Sequence, residues 1–301
     1  MTVREVAARA IETDALCKHY GEVVAVDRLR FAVAPGRITG FLGRNGAGKS
    51  TTIKLLLGMI APTAGTARVL GYRIDRAEDS LAIRRHVAYV GEDKGLYAYM
   101  TVGELIRFTR GFYADWQPDL ERRLLAQYAL PLDRKIKTLS KGTRTKLALL
   151  LALARRPALL ILDEPSDGLD PVAIEQLLQE LAGRSGDGTA VFFSSHQLAE
   201  VERIADDVVM IASGKIVLET SLDELRAQYR VVTVGFAAAP ADTAFGMPGV
   251  LRARIHGRQA QVLVSDNVDA VVRRAHSLGA TSVQIASASL REVFLDRAEA
   301  T

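Results

Sequence analysis

Cysteine is almost missing from this 301-residue chain: Cys17 is the only one. An intrachain disulfide is therefore excluded, which fits a reducing cytoplasm. No long apolar run is present either. The most apolar stretch, Leu147 to Leu162, is broken by Arg155, Arg156 and Pro157. It is too short and too charged to span a bilayer, which needs ~20 apolar residues. The start, Met1 to Ile11, contains Arg4, Glu5 and Arg9 and lacks the continuous apolar segment of a secretory leader. Strong charge of one sign is also lacking. With 39 basic against 35 acidic residues the net charge is +4, too weak to argue for nucleic acid. No tandem repeat or low-complexity segment is evident. The 49 % apolar and 25 % charged residues are ordinary for a globular protein.

The apolar runs that are present alternate between short strands and helices. Ile11 to Leu16, Val23 to Val26 and Leu29 to Val33 are weakly apolar and separated by turns. Ile38 to Leu42 predicts a buried strand, followed at once by a glycine-rich loop and a helix from about Lys49 to Leu57. Further strands are expected at Val87 to Val90, Ala158 to Leu162, Ala190 to Phe193 and Val208 to Ile211. Helical spacing over about Thr101 to Asp133, with a second helix at Leu120, Leu124 and Leu125, and a third helix over Thr143 to Ala154, predicts a helical insertion between the strands at Val90 and Ala158. Pro171 opens another helix, to about Leu181. Strands separated by helices imply a mainly parallel α/β core. Past about Arg230 the character changes. Strands at Val231 to Phe236, Leu251 to Ile255, Gln259 to Val264 and Ser282 to Ile285, with helices at Val268 to Leu278 and Leu290 to Arg297, suggest a small α+β domain.

Gly43-Arg44-Asn45-Gly46-Ala47-Gly48-Lys49-Ser50 fits G-x-x-x-x-G-K-[ST] without a mismatch, and Thr51 extends it. The glycines let backbone amides turn toward phosphate oxygens, and the following helix presents its positive end to the same anion. Lys49 reaches the β- and γ-phosphates, and the Ser50 hydroxyl can ligate Mg²⁺. Leu159 to Leu162 is an apolar strand ending in Asp163 and Glu164, which places two carboxylates at the sheet edge where nucleotides bind. Asp163 would hold Mg²⁺, and Glu164 would act as general base on the attacking water. ATP and Mg²⁺ are thus the expected cofactors. Leu139-Ser140-Lys141-Gly142-Thr143 lies directly before a helix. Ser140 and the Gly142 amide can donate to a phosphate there, or form an ordinary N-cap with a glycine turn.

With these motifs in this order, the chain from about Ile11 to Thr220 resembles the ATP-binding subunit of ABC transporters. The resemblance also takes in Ser166-Asp167-Gly168-Leu169-Asp170 and His196 at a strand end. It implies a P-loop NTPase core at 11–220, with an N-terminal β subdomain and a helical subdomain at about 95–157, followed by the small α+β domain at 229–301. It implies a head-to-tail dimer, of two copies or of similar subunits, closed around ATP. In that arrangement Ser140 and Gly142 contact the γ-phosphate held by the partner's loop, and Asp170 belongs to the same nucleotide site. His196 contacts the γ-phosphate from its own subunit. Read alone, His196 is more often a helix-capping or surface histidine. Tyr20 matches the aromatic that stacks on adenine, or is a turn tyrosine. The resemblance further implies a separate transmembrane permease, a cytoplasmic subunit peripheral on the inner membrane face, and no nucleic acid. A C-terminal extension ending like Leu290-Arg291-Glu292-Val293-Phe294-Leu295 points toward bacterial exporters. The alternative is a soluble ABC ATPase acting on ribosomes or nucleic acid. Lys141 and Thr143 stand where the family carries Gly and Gln, and Glu92 stands where it carries Gln. Glu92 is a third candidate Mg²⁺ ligand, or an exposed loop acid.

Overall fold

The computed structural model of the chain describes residues 8–241 and 243–299. It separates into two compact units, the first ending at Glu219 and the second beginning at Thr220.

The first unit opens with an antiparallel hairpin of β1 (Ile11–Tyr20) and β2 (Val23–Leu29), with β3 (Ala32–Val33) beside the start of β1. The expectation that β1 ends near Leu16 is corrected. Ala15 takes left-handed backbone, φ 47°, and the pairing register shifts between Leu16 and Lys18. A bulge thus hides the continuing strand, because it breaks the two-residue alternation of buried positions. Next come β4 (Ile38–Leu42), buried at every residue, and α1 (Lys49–Leu56). Strands β5 (Ala64–Val69) and β6 (Tyr72–Arg73) rejoin the first sheet, whose order is β2-β1-β5-β6.

Helix α2 (Ala77–His86) leads into β7 (Val87–Val90). The helical lobe follows as α3 (Val102–Arg110), α4 (Pro118–Gln127) and α5 (Lys141–Leu153). The helical pattern between Thr101 and Asp133 is therefore two helices. Thr101 and Glu104 close a capping box on α3, and Pro118 sits at the first turn of α4, where its missing N–H costs nothing. Then come β8 (Leu159–Asp163), α6 (Pro171–Gly186), β9 (Ala190–Ser195), α7 (Leu198–Ile204), β10 (Asp207–Ala212) and β11 (Lys215–Ser221).

Among the described residues the central sheet has the order β11-β10-β4-β9-β8-β7, and its pairs from β10 to β7 are parallel. β4 and β8 are buried along their whole length, as parallel strands covered on both faces are. One apolar core joins the two sheets of this unit. At its centre Phe31, Phe41 and Phe192 lie with ring centroids 5.1–5.9 Å apart. Edge-offset aromatic packing of this kind adds about 0.5–1.5 kcal/mol per pair to area burial.

The second unit contains α8 (Leu222–Gln228), β12 (Arg230–Phe236), β13 (Val250–His256), β14 (Gln259–Val264), α9 (Val268–Ser277), β15 (Ala280–Ser287) and α10 (Leu290–Glu299). Its antiparallel sheet has the order β13-β14-β12-β15. Val232, Val234 and Phe236 alternate onto the face that packs with Val271 and Ala275, which are one helical turn apart on α9.

Candidate active site

Strand register brings the chemistry to one edge. The parallel ladders pair Leu42 with Ser195, Asp163 with Ser194, and Val90 with Leu162. The loop after β4, the acids ending β8, His196 after β9 and Glu92 after β7 therefore all leave the central sheet at the carboxyl ends of its strands. In open parallel sheets that edge is where ligands bind.

The loop is shaped by close approach. Gly48 has φ 112°, and a Cβ there would sit 2.7 Å from the Ala25 carbonyl, so no other residue fits without moving backbone. No side chain caps α1 and no acid occupies its first turn. Its first amides and positive end are thus left to an anion. The Lys49 side chain is buried, and its Nζ donates to the Gly43 carbonyl at 2.7 Å.

Asp163 is 3 % exposed. Its Oδ1 accepts from the Ser194 hydroxyl at 2.6 Å, and Ser194 Oγ in turn accepts from the Glu164 amide at 3.0 Å. Glu164 is in left-handed backbone, φ 48°, which turns the chain sharply as it leaves β8. Its Oε1 lies 3.6 Å from Lys49 Nζ. Its Oε2 lies 2.8 Å from His196 Nδ1 and accepts the His196 amide at 3.2 Å. One carboxylate thus sits between a lysine and a histidine. Strained backbone of this kind clusters at sites of chemistry.

A cleft of about 530 Å³ opens in front of these groups. Its lining includes the loop residues Arg44, Asn45, Gly46, Gly48, Lys49, Ser50 and Thr51 together with Glu92, Glu164 and His196. Glu92 is therefore at the cleft. Behind it, the Tyr89 hydroxyl is pushed up to about 12, first by burial and then by the charges of Asp163, Asp93 and Glu92. Among the described residues no three His, Cys, Asp or Glu side chains cluster as a self-contained metal site. What the cleft offers is hard oxygen donors, Ser50 and Glu92, beside a phosphate loop. That set suits Mg²⁺ arriving with a nucleotide rather than bound alone.

The other candidates lie outside this lining. Tyr20 is exposed, pairs with Val23 across the hairpin, and carries Lys18 Nζ 5.0 Å above its ring. Ser140 caps α5 by accepting the Thr143 amide at 3.2 Å. Gly142 packs so closely that a Cβ would meet the Gly168 carbonyl at 2.5 Å. Asp170 caps α6 and lies 3.4 Å from Lys146. Gly43 and Ala47 sit within the loop, where Gly43 supplies the carbonyl for Lys49 and Ala47 is buried. Sequence reasoning missed Val23, Val24 and Ala25 and gave Asp167 no role beyond its place in the Ser166–Asp170 segment; all four also line the cleft. The sequence carried no signal for the valines beyond an apolar run after Tyr20, and only the structure shows them exposed. Asp167 is held below the usual carboxylate range by its hydrogen bond from Lys141, at 2.6 Å.

A family model described as ABC transporter matches residues 26–167. The bacitracin transport ATP-binding protein BcrA of Bacillus licheniformis is 36 % identical over 225 residues, covering 73 % of this chain and 72 % of that protein. The chain belongs to the ATP-binding subunits of ABC transporters. The daunorubicin/doxorubicin resistance ATP-binding protein DrrA of Streptomyces peucetius is 32 % identical over 286 residues, 92 % of this chain and 81 % of that one. A span that long includes most of the second unit. A solved ATP-binding subunit of an ABC transporter matches with TM-score 0.67 and 33 % identity, over 73 % of this chain and 92 % of that one. This ABC subunit is accordingly an ATPase of the transporter family, and the reading as a ribosome- or nucleic-acid-directed ATPase is set aside. Among its described residues no helix is long and apolar enough to cross a membrane.

Proposed function

We propose that this ABC subunit binds Mg²⁺-ATP in the cleft, pairs head-to-tail with a second copy, and uses hydrolysis to drive export through a separate permease. The observation that carries the hydrolytic reading is Glu164, held between Lys49 and His196 beside the phosphate loop. Lys49 would exchange the Gly43 carbonyl for the β- and γ-phosphates. Ser50, Glu92 and Asp163 would hold Mg²⁺, which when bound neutralises phosphate charge. Glu164 would take the proton of the attacking water, and His196 would fix that carboxylate and reach the γ-phosphate. Tyr20 would stack on adenine, a contact of ~1–3 kcal/mol. Ser140 and Gly142 of one copy would close over the nucleotide of the other, with Asp170 shaping the loop beside them.

Export is supported by the relatives: transport of bacitracin, resistance to daunorubicin and doxorubicin, and Nod factor export are the named roles of three of them. Permease docking is supported by the helical lobe. There Tyr97, Tyr99, Phe108 and Phe112 form an exposed chain of ring contacts 5.0–6.0 Å apart, its first ring on the segment that follows Glu92. Exposed aromatic clusters mark interaction surfaces. Docking there would place the subunit on the inner face of the cell membrane. Detergent purification of the tagged chain from its own cells tests this. The expected companion is a polytopic membrane protein whose vesicles stimulate ATP hydrolysis. Recovery of ribosomes or nucleic acid instead would sink the transport reading.

A further inference from the structure

Behind the cleft lie three buried polar residues that the hydrolytic reading does not use: Ser166, Ser195 and Glu200. Ser195 ends β9, and Glu200 lies in the first turn of α7, 6 % exposed. The Ser195 hydroxyl oxygen accepts from the Gln197 amide at 2.9 Å and its proton reaches Glu200 Oε2 at 3.4 Å. The Glu200 amide donates back to the Gln197 carbonyl at 3.1 Å. His196 is the residue enclosed by this circuit.

On the other side, Ser166 lies two residues past Glu164, in a turn where the Asp167 amide bonds back to the Glu164 carbonyl. Burial pushes the Glu200 carboxyl above its ordinary value. Among the described residues, Ser166 Oγ and Glu200 Oε1 have no hydrogen-bond partner of ordinary geometry. An acid buried against one hydroxyl is a poor stabiliser, and an apolar side chain of similar size would serve the core better. The ladder between β8 and β9 ends at Asp163 and Ser194. Past that point the two turns carrying Glu164 and His196 are joined by the side-chain hydrogen bonds of Ser194, Glu164 and His196 and not by strand pairing.

We infer that Glu200 is a positioning residue: through Ser195 it holds the Ser195–Gln197 turn and thereby sets His196 against Glu164. The inference rests on the assignment of Glu164 and His196 to hydrolysis. Misplacing a reacting group by about 1 Å costs up to ~10²-fold in rate, so the tie is felt in turnover and not in nucleotide binding.

The test compares Glu200→Gln, Glu200→Leu and Glu164→Gln for kcat, ATP affinity and melting temperature. Glu200→Gln keeps the size and one acceptor oxygen, so it should retain at least about a third of wild-type kcat. Glu200→Leu should melt no lower than wild type yet lose kcat by ~10-fold or more, with ATP affinity within ~3-fold. Wild-type kcat in Glu200→Leu, or equal loss in the Gln and Leu variants, overturns the tie. If the Leu variant does not fold, Ser195→Ala and its double with Glu200→Gln replace it. Ser195→Ala already opens the circuit, so the double should be no slower than that single; multiplying losses refute the inference. Normal turnover in Glu164→Gln would remove the base assignment itself. An inactive Glu164→Gln beside a fully active Glu200→Leu would remove only Glu200.

Discussion

Replacing Glu164 with Gln changes one charge in the most constrained part of the cleft. The substitution keeps a carbonyl oxygen for the His196 amide and the backbone bond from the Glu164 amide to Ser194, so the turn should survive. Two effects then separate. As a base, the amide is useless, and loss of a positioned general base costs ~10²–10⁴ in rate, or about 3–5 kcal/mol on the barrier. As a charge, the carboxylate both attracts Lys49 at 3.6 Å and repels incoming phosphates. Two unit charges about 4 Å apart interact by ~1 kcal/mol in water and ~4 kcal/mol at the higher field of a protein surface. With Lys49 released and repulsion gone, ATP affinity should rise by a net ~1 kcal/mol, about fivefold. Phosphate release at saturating Mg²⁺-ATP reads the first effect, and nucleotide titration the second. Size exclusion with ATP should show an accumulated dimer, because closure persists when cleavage fails. Turnover within tenfold of wild type would move the base elsewhere. ATP affinity that falls as far as in a Lys49 variant would mean that Glu164 holds the loop in place instead.

Lys49→Ala should weaken ATP binding by ~10–100-fold, the worth of one lost hydrogen bond to a charged group; unchanged affinity in a nucleotide titration contradicts the assigned loop. Across a Mg²⁺ titration, ATPase activity of Glu92→Gln should need more metal than wild type, and Glu92→Ala more still, because an amide is a poorer ligand than a carboxylate for a hard cation. Three superimposable curves would take Glu92 out of the metal shell. Truncation after Ser221 keeps β11 whole and should leave ATP binding intact, since every loop residue of the cleft precedes it; a folded truncation that no longer binds would show the second unit to be part of the site. Burial raises the Glu200 pKa from its ordinary 4.5, so its protonated form stabilises the fold fully below that pH and the benefit is lost as pH rises through the folded value. Melting curves from pH 4.5 to 8 should accordingly show wild type losing ground to Glu200→Gln, and parallel curves would refute the shift.

The phosphate loop was legible because its chemistry is local: the glycines, Lys49 and Ser50 are consecutive, and a buried strand and a helix flank them. Glu164 and His196 were legible as strand-end residues, but their contact was not, since it depends on the Asp163–Ser194 pairing across 31 positions of sequence. Glu200 was invisible for the same reason. On paper it is one acid in a polar helix, and only the tertiary fold buries it. Helix α2 escaped notice because Ile83 is its one buried side chain among the described residues, too little to set up an apolar stripe. The continuation of β1 past Leu16 was masked by the bulge at Ala15. In the second unit the two-residue alternation of β12 is uninterrupted from Val232 to Phe236, and there the strand was read to within a residue.

The left-handed turn at Glu164 also acts as a filter on variation. Valine, isoleucine and threonine are strained in that conformation, whereas glycine, asparagine and aspartate accept it readily. A random library at this codon, sorted first for soluble protein, should therefore return a skewed sample. Branched residues would be depleted before activity is ever assayed, and the surviving inactive clones would be dominated by side chains that tolerate the bend. How often a residue type is recovered at position 164 would then report backbone tolerance, and only a comparison among the survivors would report chemistry.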